Sequence, residues 1–159
     1  MTANSVYFAQ HGLAVDKAED PERPLSETGI QQTKKMAEAL YNAKVPISSI
    51  FHSGKLRASQ TADIFAATSG IFTTSMINGL SPNDDVDLLA KNLDMDNALI
   101  IGHLPHLEKL ISILVTGNED SSIIKFQNSA IACLGKINIH YQLLWYLTPG
   151  LIEGHFRQP

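Results

Sequence analysis

The chain has 159 residues, a hydrophobic content of 44%, a charged content of 18% and a formal net charge of −4. This length and composition are typical of one globular domain, so we expect residues 1–159 to form a single domain. The acidic balance argues against a nucleic-acid surface, and no apolar run reaches the ~20 residues that a membrane-spanning helix needs. No signal peptide is visible at the start of the chain, and its one cysteine, Cys133, lies in an apolar run typical of a buried, inert strand residue. We therefore expect a cytoplasmic protein that binds neither nucleic acid nor membranes.

Short apolar runs bounded by turn residues predict strands, and apolar stripes of helical period predict helices. In chain order we expect a strand at 6–9, a helix at 26–42, a strand at 47–52, a helix at 56–68, a strand at 71–77, a short helix ending near 93, a strand at 98–102, a helix from 105 to about 115, a loop at 117–121 and a hairpin of strands at 130–137 and 142–147. Strands that alternate with helices and then end in a hairpin predict a three-layer α/β/α sandwich with a mostly parallel mixed sheet.

Histidines follow two of these strands at the point where each strand ends. His11 closes the first apolar run, and His103 closes the run at 98–102, which reads as a buried central strand. Because ligands of open α/β sheets bind outside the carboxyl ends of the strands, we expect the two imidazoles to converge there. Arg57, which follows the strand at 47–52, is expected to join them.

These three side chains suit phosphoryl transfer. A neutral imidazole such as that of His11 is a competent nucleophile toward phosphorus. The guanidinium of Arg57 matches two phosphoryl oxygens at once, in a fork that lysine does not provide. A protonated imidazole at His103 would add positive charge and donor capacity toward the developing oxyanion. The helices that begin near 56 and 105 would also direct backbone N–H groups at an anion, and the set needs no metal.

Each of these residues also has a purely structural explanation. A histidine after a strand is more often a hydrogen-bonded turn residue than a nucleophile, and Arg57 falls in the first turn of a helix, where solvated charges are common. His103 and His106 have a spacing that invites a metal site, but Pro105 intervenes and no nearby residue completes a typical zinc set. The chain lacks a phosphate-binding loop, a dinucleotide fingerprint and the nucleophile elbow of α/β-hydrolases.

Several segments, in order, resemble the histidine phosphatase superfamily. Gln-His-Gly at 10–12 and Leu-Ser-Glu-Thr-Gly at 25–29 are similar to the family's Arg-His-Gly and Leu-[Ser/Thr]-x-x-Gly. Residues 53–62 resemble its S-x-x-x-R-A-x-Q-T-A stretch, and residues 102–105 resemble its G-H-x-P segment. The short length, the compact loop before residue 23 and Leu-Ser-Pro at 80–82 resemble the SixA-like branch, whose members are similar to protein phosphohistidine phosphatases.

The resemblance implies a phosphoglycerate mutase-like fold and a phosphatase without metal or organic cofactor. It implies that His11 is the nucleophile that becomes phosphorylated, that His103 is the second catalytic residue, and that the phosphoryl group is bound by residues at the positions of Gln10, Arg57 and His103. Asp20 and Arg23 occupy places that lie at the edge of the pocket in this branch. The implied partner is a phosphorylated protein, such as a phosphohistidine-bearing signalling or phosphotransfer domain.

Two features depart from the family pattern. Gln10 stands where the family has an arginine, which removes one cation and would slow turnover by about 10²–10³-fold, judging by the loss of an oxyanion donor elsewhere. No carboxylate is a clear general acid, because Asp84 and Asp85 also suit helix capping. Phosphohistidine tolerates that lack, since its leaving imidazole has a pKa of ~6.5 whereas an alkoxide must be protonated. The sequence thus predicts a phosphohistidine phosphatase, the alternatives being a catalytically weak relative that binds a phosphorylated partner and a small-molecule phosphomonoesterase.

Overall fold

The structure, a computed structural model, describes residues 4–155. Its elements are, in order, β1 (Asn4–Gln10), α1 (Glu27–Asn42), β2 (Ser49–His52), α2 (Leu56–Ser69), β3 (Ser75–Met76), α3 (Val86–Asn92), β4 (Ala98–Gly102), α4 (His106–Thr116), a 3₁₀ turn (Glu119–Ser121), β5 (Ile131–Ile137), β6 (His140–Leu147) and α5 (Pro149–Ile152). Within residues 4–155, no helix has the length and apolar character needed to cross a membrane.

One six-stranded sheet has the order β3-β2-β4-β1-β5-β6. The first four strands of that order are parallel, and β5 and β6 add an antiparallel hairpin beside β1. β1 and β4 pair from Val6 opposite Ala98 to Gln10 opposite Gly102, so both strands end at the same level. This register places the residue after each strand, His11 and His103, side by side at the carboxyl edge of the sheet.

Helices cover both faces of the sheet. On one face α1 and α2 contribute the buried residues Met36, Ala37, Leu40, Ala58, Ala62 and Phe65. On the other face α3 and α4 contribute Val86, Leu107, Leu110 and Ile111. The continuous apolar run of β4 is buried along its whole length because it has a helical layer on each side. The predicted three-layer α/β/α sandwich with a mostly parallel mixed sheet is confirmed.

Side-chain caps and left-handed glycine explain where the helices begin and end. The Ser26 hydroxyl accepts a hydrogen bond from the Gly29 amide at the start of α1. The Asp85 carboxylate accepts one from the Asp87 amide at the start of α3. Gly70 ends α2 with φ of 72°, a left-handed conformation that glycine adopts without strain. Ser26 and Gly70 therefore account for the start of α1 and the end of α2.

Gly29 is required by a close approach of α1 to the loop after His11. A Cβ atom at this position would lie 2.1 Å from the Leu13 carbonyl oxygen, which is backbone and has no freedom to rotate away. The same carbonyl accepts hydrogen bonds from the Ser26 amide and hydroxyl. The propensity cost of glycine in a helix is thus offset by a contact that fixes the loop next to His11.

Two predictions about local structure are wrong. The strand predicted at 71–77 shrinks to Ser75–Met76, because it lies at the edge of the sheet and pairs only with β2, while Phe72 is fully exposed. The loop predicted at 117–121 contains the 3₁₀ turn Glu119–Ser121, since the Asn118 side chain accepts a hydrogen bond from the Asp120 amide.

The C-terminal hairpin is confirmed as β5 and β6, and Cys133 is buried in β5 as expected. The short helix α5 that follows is not predicted by the apolar pattern. It forms because the Thr148 hydroxyl accepts a hydrogen bond from the Leu151 amide and Pro149 occupies the first turn, where its missing N–H costs nothing.

Candidate active site

His11 is held by backbone contacts on both sides of β1. Its amide donates to the Gly102 carbonyl at 3.1 Å, at the end of the neighbouring β4. Its carbonyl oxygen accepts hydrogen bonds from Asn128 Nδ2 at 3.1 Å and from the Ser129 amide at 3.4 Å, just before β5. The residue is only 8% exposed, so the surrounding backbone fixes where its imidazole points.

The hydrogen bonds of His11 fix its tautomer. Nδ1 lies 2.7 Å from the Gly12 carbonyl oxygen, and because a carbonyl only accepts, the proton is on Nδ1. Nε2 therefore carries the lone pair, and it accepts a hydrogen bond from Arg57 Nε at 3.2 Å. Burial, together with the charges of Arg57 and Arg23, lowers the pKa of His11 to about 4 against the opposing hydrogen bond to Gly12. At neutral pH, His11 is a neutral imidazole with its lone pair on the side of Arg57.

His103 follows β4 and faces His11, with ring centroids 4.9 Å apart. Its Nε2 lies 2.6 Å from the Ser53 hydroxyl, and its Nδ1 is buried without a hydrogen-bond partner among the described residues. Burial lowers the pKa of His103 to about 3, helped by repulsion from Arg57 and from the protonated form of His11. An anion placed between the two rings would raise that pKa, because it would attract the protonated form.

Arg57 is positioned by a bridge between β1 and α2. The Gly12 amide donates to Thr61 Oγ1 at 2.9 Å, and the Thr61 hydroxyl donates to the Arg57 carbonyl at 2.7 Å. This bridge fixes the first turn of α2 against the residue that follows His11. The N-cap of α2, Lys55, makes no side-chain capping hydrogen bond, so the positive end of the helix is open toward an anion.

The structure thus brings His11, Arg57 and His103 together, as the sequence predicts, with direct contact between Arg57 and His11. Gln10 is the residue before this cluster and is 9% exposed. Its Oε1 is buried without a hydrogen-bond partner among the described residues, and its backbone is paired with Ala130. Gln10 therefore brings an uncharged side chain to the end of β1, next to His11.

Arg23 and Asp20 differ in how they relate to this cluster. Arg23 has φ of 51°, and its Nε donates to the Val15 carbonyl at 3.1 Å, which directs the side chain back across the loop. Its charge lowers the pKa of both His11 and Arg57, so it lies within electrostatic reach of them. The Asp20 carboxylate instead accepts a hydrogen bond from the Glu22 amide and shapes the turn that presents Arg23.

Asp84 and Asp85 act as capping residues. Asp84 Oδ2 accepts a hydrogen bond from the Ser81 amide, and Asp85 Oδ1 accepts one from the Asp87 amide, each at 2.9 Å. Both carboxylates line an open depression of about 480 Å³ that also reaches Ser53. The capping interpretation of these two residues is confirmed, and neither carboxylate has a described contact with His11 or His103.

The sequence singles out His103 and His106 for a metal site only by their spacing. His106 is buried at the start of α4. Across residues 4–155, no group of three or more His, Cys, Asp or Glu side chains is arranged to hold a metal ion.

Sequence reasoning missed three residues that hold the cluster. Ser53 bonds the His103 ring, Thr61 bridges Gly12 to Arg57, and Asn128 binds the carbonyl of His11. The sequence carries a signal for Ser53 and Thr61, because both residues belong to the 53–62 segment that resembles the family. Asn128 lies in the turn before β5, far from any recognised motif, so only the fold reveals its role.

Sulfate binding to this cluster is expected to tighten as the pH falls from about 8 to about 5. Sulfate stays a dianion throughout this range, so any change comes from the protein. His103 is neutral alone and gains a proton beside the anion, and affinity rises with falling pH wherever the complex holds more protons than the free protein, by up to about tenfold per pH unit. Calorimetric titrations at several pH values measure this.

The control for the sulfate titration is a pair of histidine variants. His103→Asn should remove most of the pH dependence, whereas His140→Gln, at an exposed histidine in the β5–β6 hairpin, should keep it. A sulfate affinity that is the same at both ends of the pH range would contradict the protonation of His103 by a bound anion.

We compared the chain with protein-family models, with curated protein sequences and with solved structures. Residues 6–80 match the model of the histidine phosphatase superfamily (branch 1). Over 135 residues the chain is 31% identical to the phosphohistidine phosphatase SixA of Escherichia coli (strain K12), an alignment that covers 80% of this chain and 82% of that protein. An uncharacterized protein of Picosynechococcus (strain PCC 7002) is 31% identical over 121 residues, which cover 70% of this chain and 73% of that protein.

The fold is similar to a solved structure of the protein histidine phosphatase SixA complexed with tungstate. The two structures superpose with a TM-score of 0.79 and 28% sequence identity, over 91% of this chain and 97% of that chain. The structural similarity therefore extends over most of the length of both chains.

Proposed function

Because the chain belongs to the SixA-like branch of the histidine phosphatase superfamily and is a phosphatase, we propose that it hydrolyses protein phosphohistidine through a phosphoenzyme formed on His11. The observation that carries this proposal is the neutral His11 imidazole, with its Nε2 lone pair at 3.2 Å from Arg57 Nε and the His103 ring beside it. The partner is accordingly a protein that carries phosphohistidine on a surface accessible to this crevice.

In the first step, His11 Nε2 attacks phosphorus. A new N–P bond forms while the N–P bond of the substrate breaks, and its electron pair returns to the leaving imidazole. That imidazole leaves neutral when its other ring nitrogen carries a proton. Nδ1 of His11 keeps its own proton and the hydrogen bond to Gly12, so the phosphorylated ring is a cation that a carbonyl dipole stabilises.

Arg57 must exchange partners during this step. Its Nε–H occupies the lone pair of His11 in the structure, so this hydrogen bond breaks as the phosphoryl group enters. The guanidinium then donates to two equatorial oxygens, which stabilises charge that grows in the transition state. Thr61 keeps the Arg57 backbone attached to the loop after His11 while the side chain moves.

His103 supplies charge once the substrate is bound. The incoming phosphoryl group raises the pKa of this imidazole, and the protonated ring donates to a phosphoryl oxygen while Ser53 Oγ orients it. In the second step water attacks the phosphorylated His11, the N–P bond breaks, and the electron pair returns to Nε2. The proton of the water passes to the phosphate or the solvent.

The leaving group favours phosphohistidine over a phosphoester. An alkoxide leaving group needs a general acid, and the two nearby carboxylates, Asp84 and Asp85, are engaged in capping α3 and its preceding turn. An imidazole has a pKa of ~6.5 and leaves without such help. With these two carboxylates engaged, no described carboxylic acid is placed to protonate a leaving oxygen, which restricts the ester reaction far more than the phosphoramidate reaction.

The protein is expected to release phosphate from a phosphohistidine-bearing domain with a kcat/KM at least about 100-fold higher than from a phosphoserine peptide, the usual lower range for general-acid catalysis. Phosphate release by the two substrates, assayed at equal enzyme concentration, measures the ratio. Equal rates on both, or a preference for small phosphate esters, would instead indicate a small-molecule phosphomonoesterase. Binding of the phosphorylated domain without phosphate release would indicate a relative that recognises its partner and does not turn it over.

A further inference from the structure

Lys55 lies between two residues that touch the reacting histidines. Ser53 bonds the His103 ring through its hydroxyl, and Arg57 donates to Nε2 of His11. The Lys55 amide lies 3.4 Å from the same Ser53 hydroxyl, so the start of α2 is attached to the His103 side of the cluster. The backbone of Lys55 is therefore linked to His103 through the Ser53 hydroxyl.

The charge of Lys55 is available to a ligand. Among the described residues, Lys55 has no carboxylate within ion-pair distance, whereas five other lysines do. Its side chain makes no capping contact with the helix that it begins, and the residue is exposed. Its charge still reaches His103, since it contributes to lowering the pKa of that imidazole. Lys55 thus carries an uncompensated positive charge beside the phosphoryl-binding cluster.

Gln10 creates a need for such a charge. Its amide is neutral, and its Oε1 is buried without a hydrogen-bond partner among the described residues, so Gln10 brings no positive charge to the position next to His11. The cations that remain near His11 are Arg57, in direct contact, and Arg23, within electrostatic reach. A dianionic phosphoryl group in this cluster would therefore gain from a further cation on the other side, next to His103.

We propose that Lys55 is a phosphoryl-binding residue that supplies, from the start of α2, positive charge that Gln10 lacks. This inference rests on the phosphoryl site of the proposed function. The flexible stem of lysine carries a point charge that needs no fixed fork geometry, so it can reach an oxygen of the bound group from the rim. It would add to the N–H groups of the first turn of α2, whose N-cap makes no side-chain hydrogen bond.

Tungstate at about pH 8 is the probe, because it is a stable tetrahedral dianion that mimics the phosphoryl group. Replacing Lys55 with glutamine is expected to raise the Kd for tungstate by about three- to tenfold, the range for one partly solvated charge contact. Lys55→Arg should keep most of the affinity, since it retains the charge. Lys44→Gln, at an exposed lysine just after α1 and beside the starts of β1 and β4, should change the Kd by less than twofold.

The Gln10→Arg variant tests whether the two positions act on the same group. It should tighten tungstate binding in the wild-type background, and it should reduce the loss caused by Lys55→Gln when both changes are combined. A Kd within twofold of wild type for Lys55→Gln, or strictly additive effects of the two changes, would overturn the inference.

Failure of this inference can be told apart from failure of the proposed hydrolysis. A wild-type protein that turns over phosphohistidine while Lys55→Gln binds tungstate normally overturns the role of Lys55 alone. A wild-type protein that binds tungstate through Lys55 but forms no phosphoenzyme supports that role and overturns the proposed reaction.

Discussion

Replacement of His11 with alanine is expected to abolish phosphoenzyme formation and to lower phosphate release from a phosphohistidine substrate by at least about 10⁴-fold, as for loss of a covalent nucleophile. The reason is the lone pair on Nε2, which is fixed by the Nδ1 contact with Gly12 and stays free of a proton because burial lowers the pKa to about 4. No nearby described imidazole replaces it, since the Nε2 of His103 is engaged with Ser53. Labelling with a ³²P-phosphohistidine donor, quenched in alkaline detergent because phosphohistidine is labile in acid, measures the intermediate.

His140→Ala is the matched control for the His11 variant. This exposed histidine lies in the turn of the β5–β6 hairpin, at the end of the sheet where β1 begins, whereas His11 follows the other end of β1. Labelling and turnover of the variant should therefore equal those of wild type. His11→Ala should still bind tungstate, because Arg57 and His103 remain, which shows that the variant is folded. A labelled His11→Ala protein would place the nucleophile elsewhere and contradict the proposed mechanism.

The convergence of the two histidines could be predicted because it depends on simple rules. An unbroken apolar run marks a buried parallel strand, and the residue after it emerges at the carboxyl edge of the sheet. β1 and β4 turn out to be direct neighbours in register, which brings the ring centroids of His11 and His103 to 4.9 Å. Arg57 joins them because α2 begins immediately beyond the end of β2, the other neighbour of β4.

The protonation states could not be predicted, because they depend on burial that no spacing reveals. His11 and His103 look alike in the sequence, and both have pKa values far below the ordinary value of ~6.5 once the fold surrounds them. The tautomer of His11 depends on a single backbone carbonyl, that of Gly12. The contact of Ser53 with His103 depends on the register between β2 and β4, which cannot be read from the sequence of either strand alone.

The short strand β3 shows that local propensity does not predict the length of an edge strand. Its apolar and β-branched residues suit a seven-residue strand, but an edge strand gains hydrogen bonds on one side only and here keeps two residues of pairing. Tertiary context therefore overrides local propensity at the edge of the sheet, while it reinforces propensity at β1 and β4 in the centre. The residues of the candidate site follow central strands or their immediate neighbours, which explains why their positions in the fold can be predicted more accurately than the length of β3.

Replacement of Arg57 with alanine is expected to lower kcat/KM for phosphohistidine by about 10³-fold, at the lower end for removal of an arginine that stabilises phosphoryl-transfer charge. Among the described residues, Arg57 is the cation in direct contact with His11. Position 10, next to the nucleophile, holds an uncharged glutamine, which cannot replace the positive charge of Arg57. Arg57→Lys should recover only a small part of the loss, because an ammonium keeps the charge but not the two-pronged geometry. Steady-state phosphate release by the two variants measures this difference.

A second readout separates loss of this electrostatic role from general damage to the fold. The charge of Arg57 helps to lower the pKa of His11, so Arg57→Ala should raise that pKa above about 4, while burial still holds it below the ordinary value of ~6.5. An NMR titration of the His11 ring measures the shift. Ser59→Ala, two residues further along the same helix, should leave the His11 pKa unchanged and kcat/KM within twofold of wild type. An unchanged His11 pKa in Arg57→Ala would mean that the 3.2 Å contact does not govern the nucleophile, and a loss of activity would then have to come from phosphoryl binding alone.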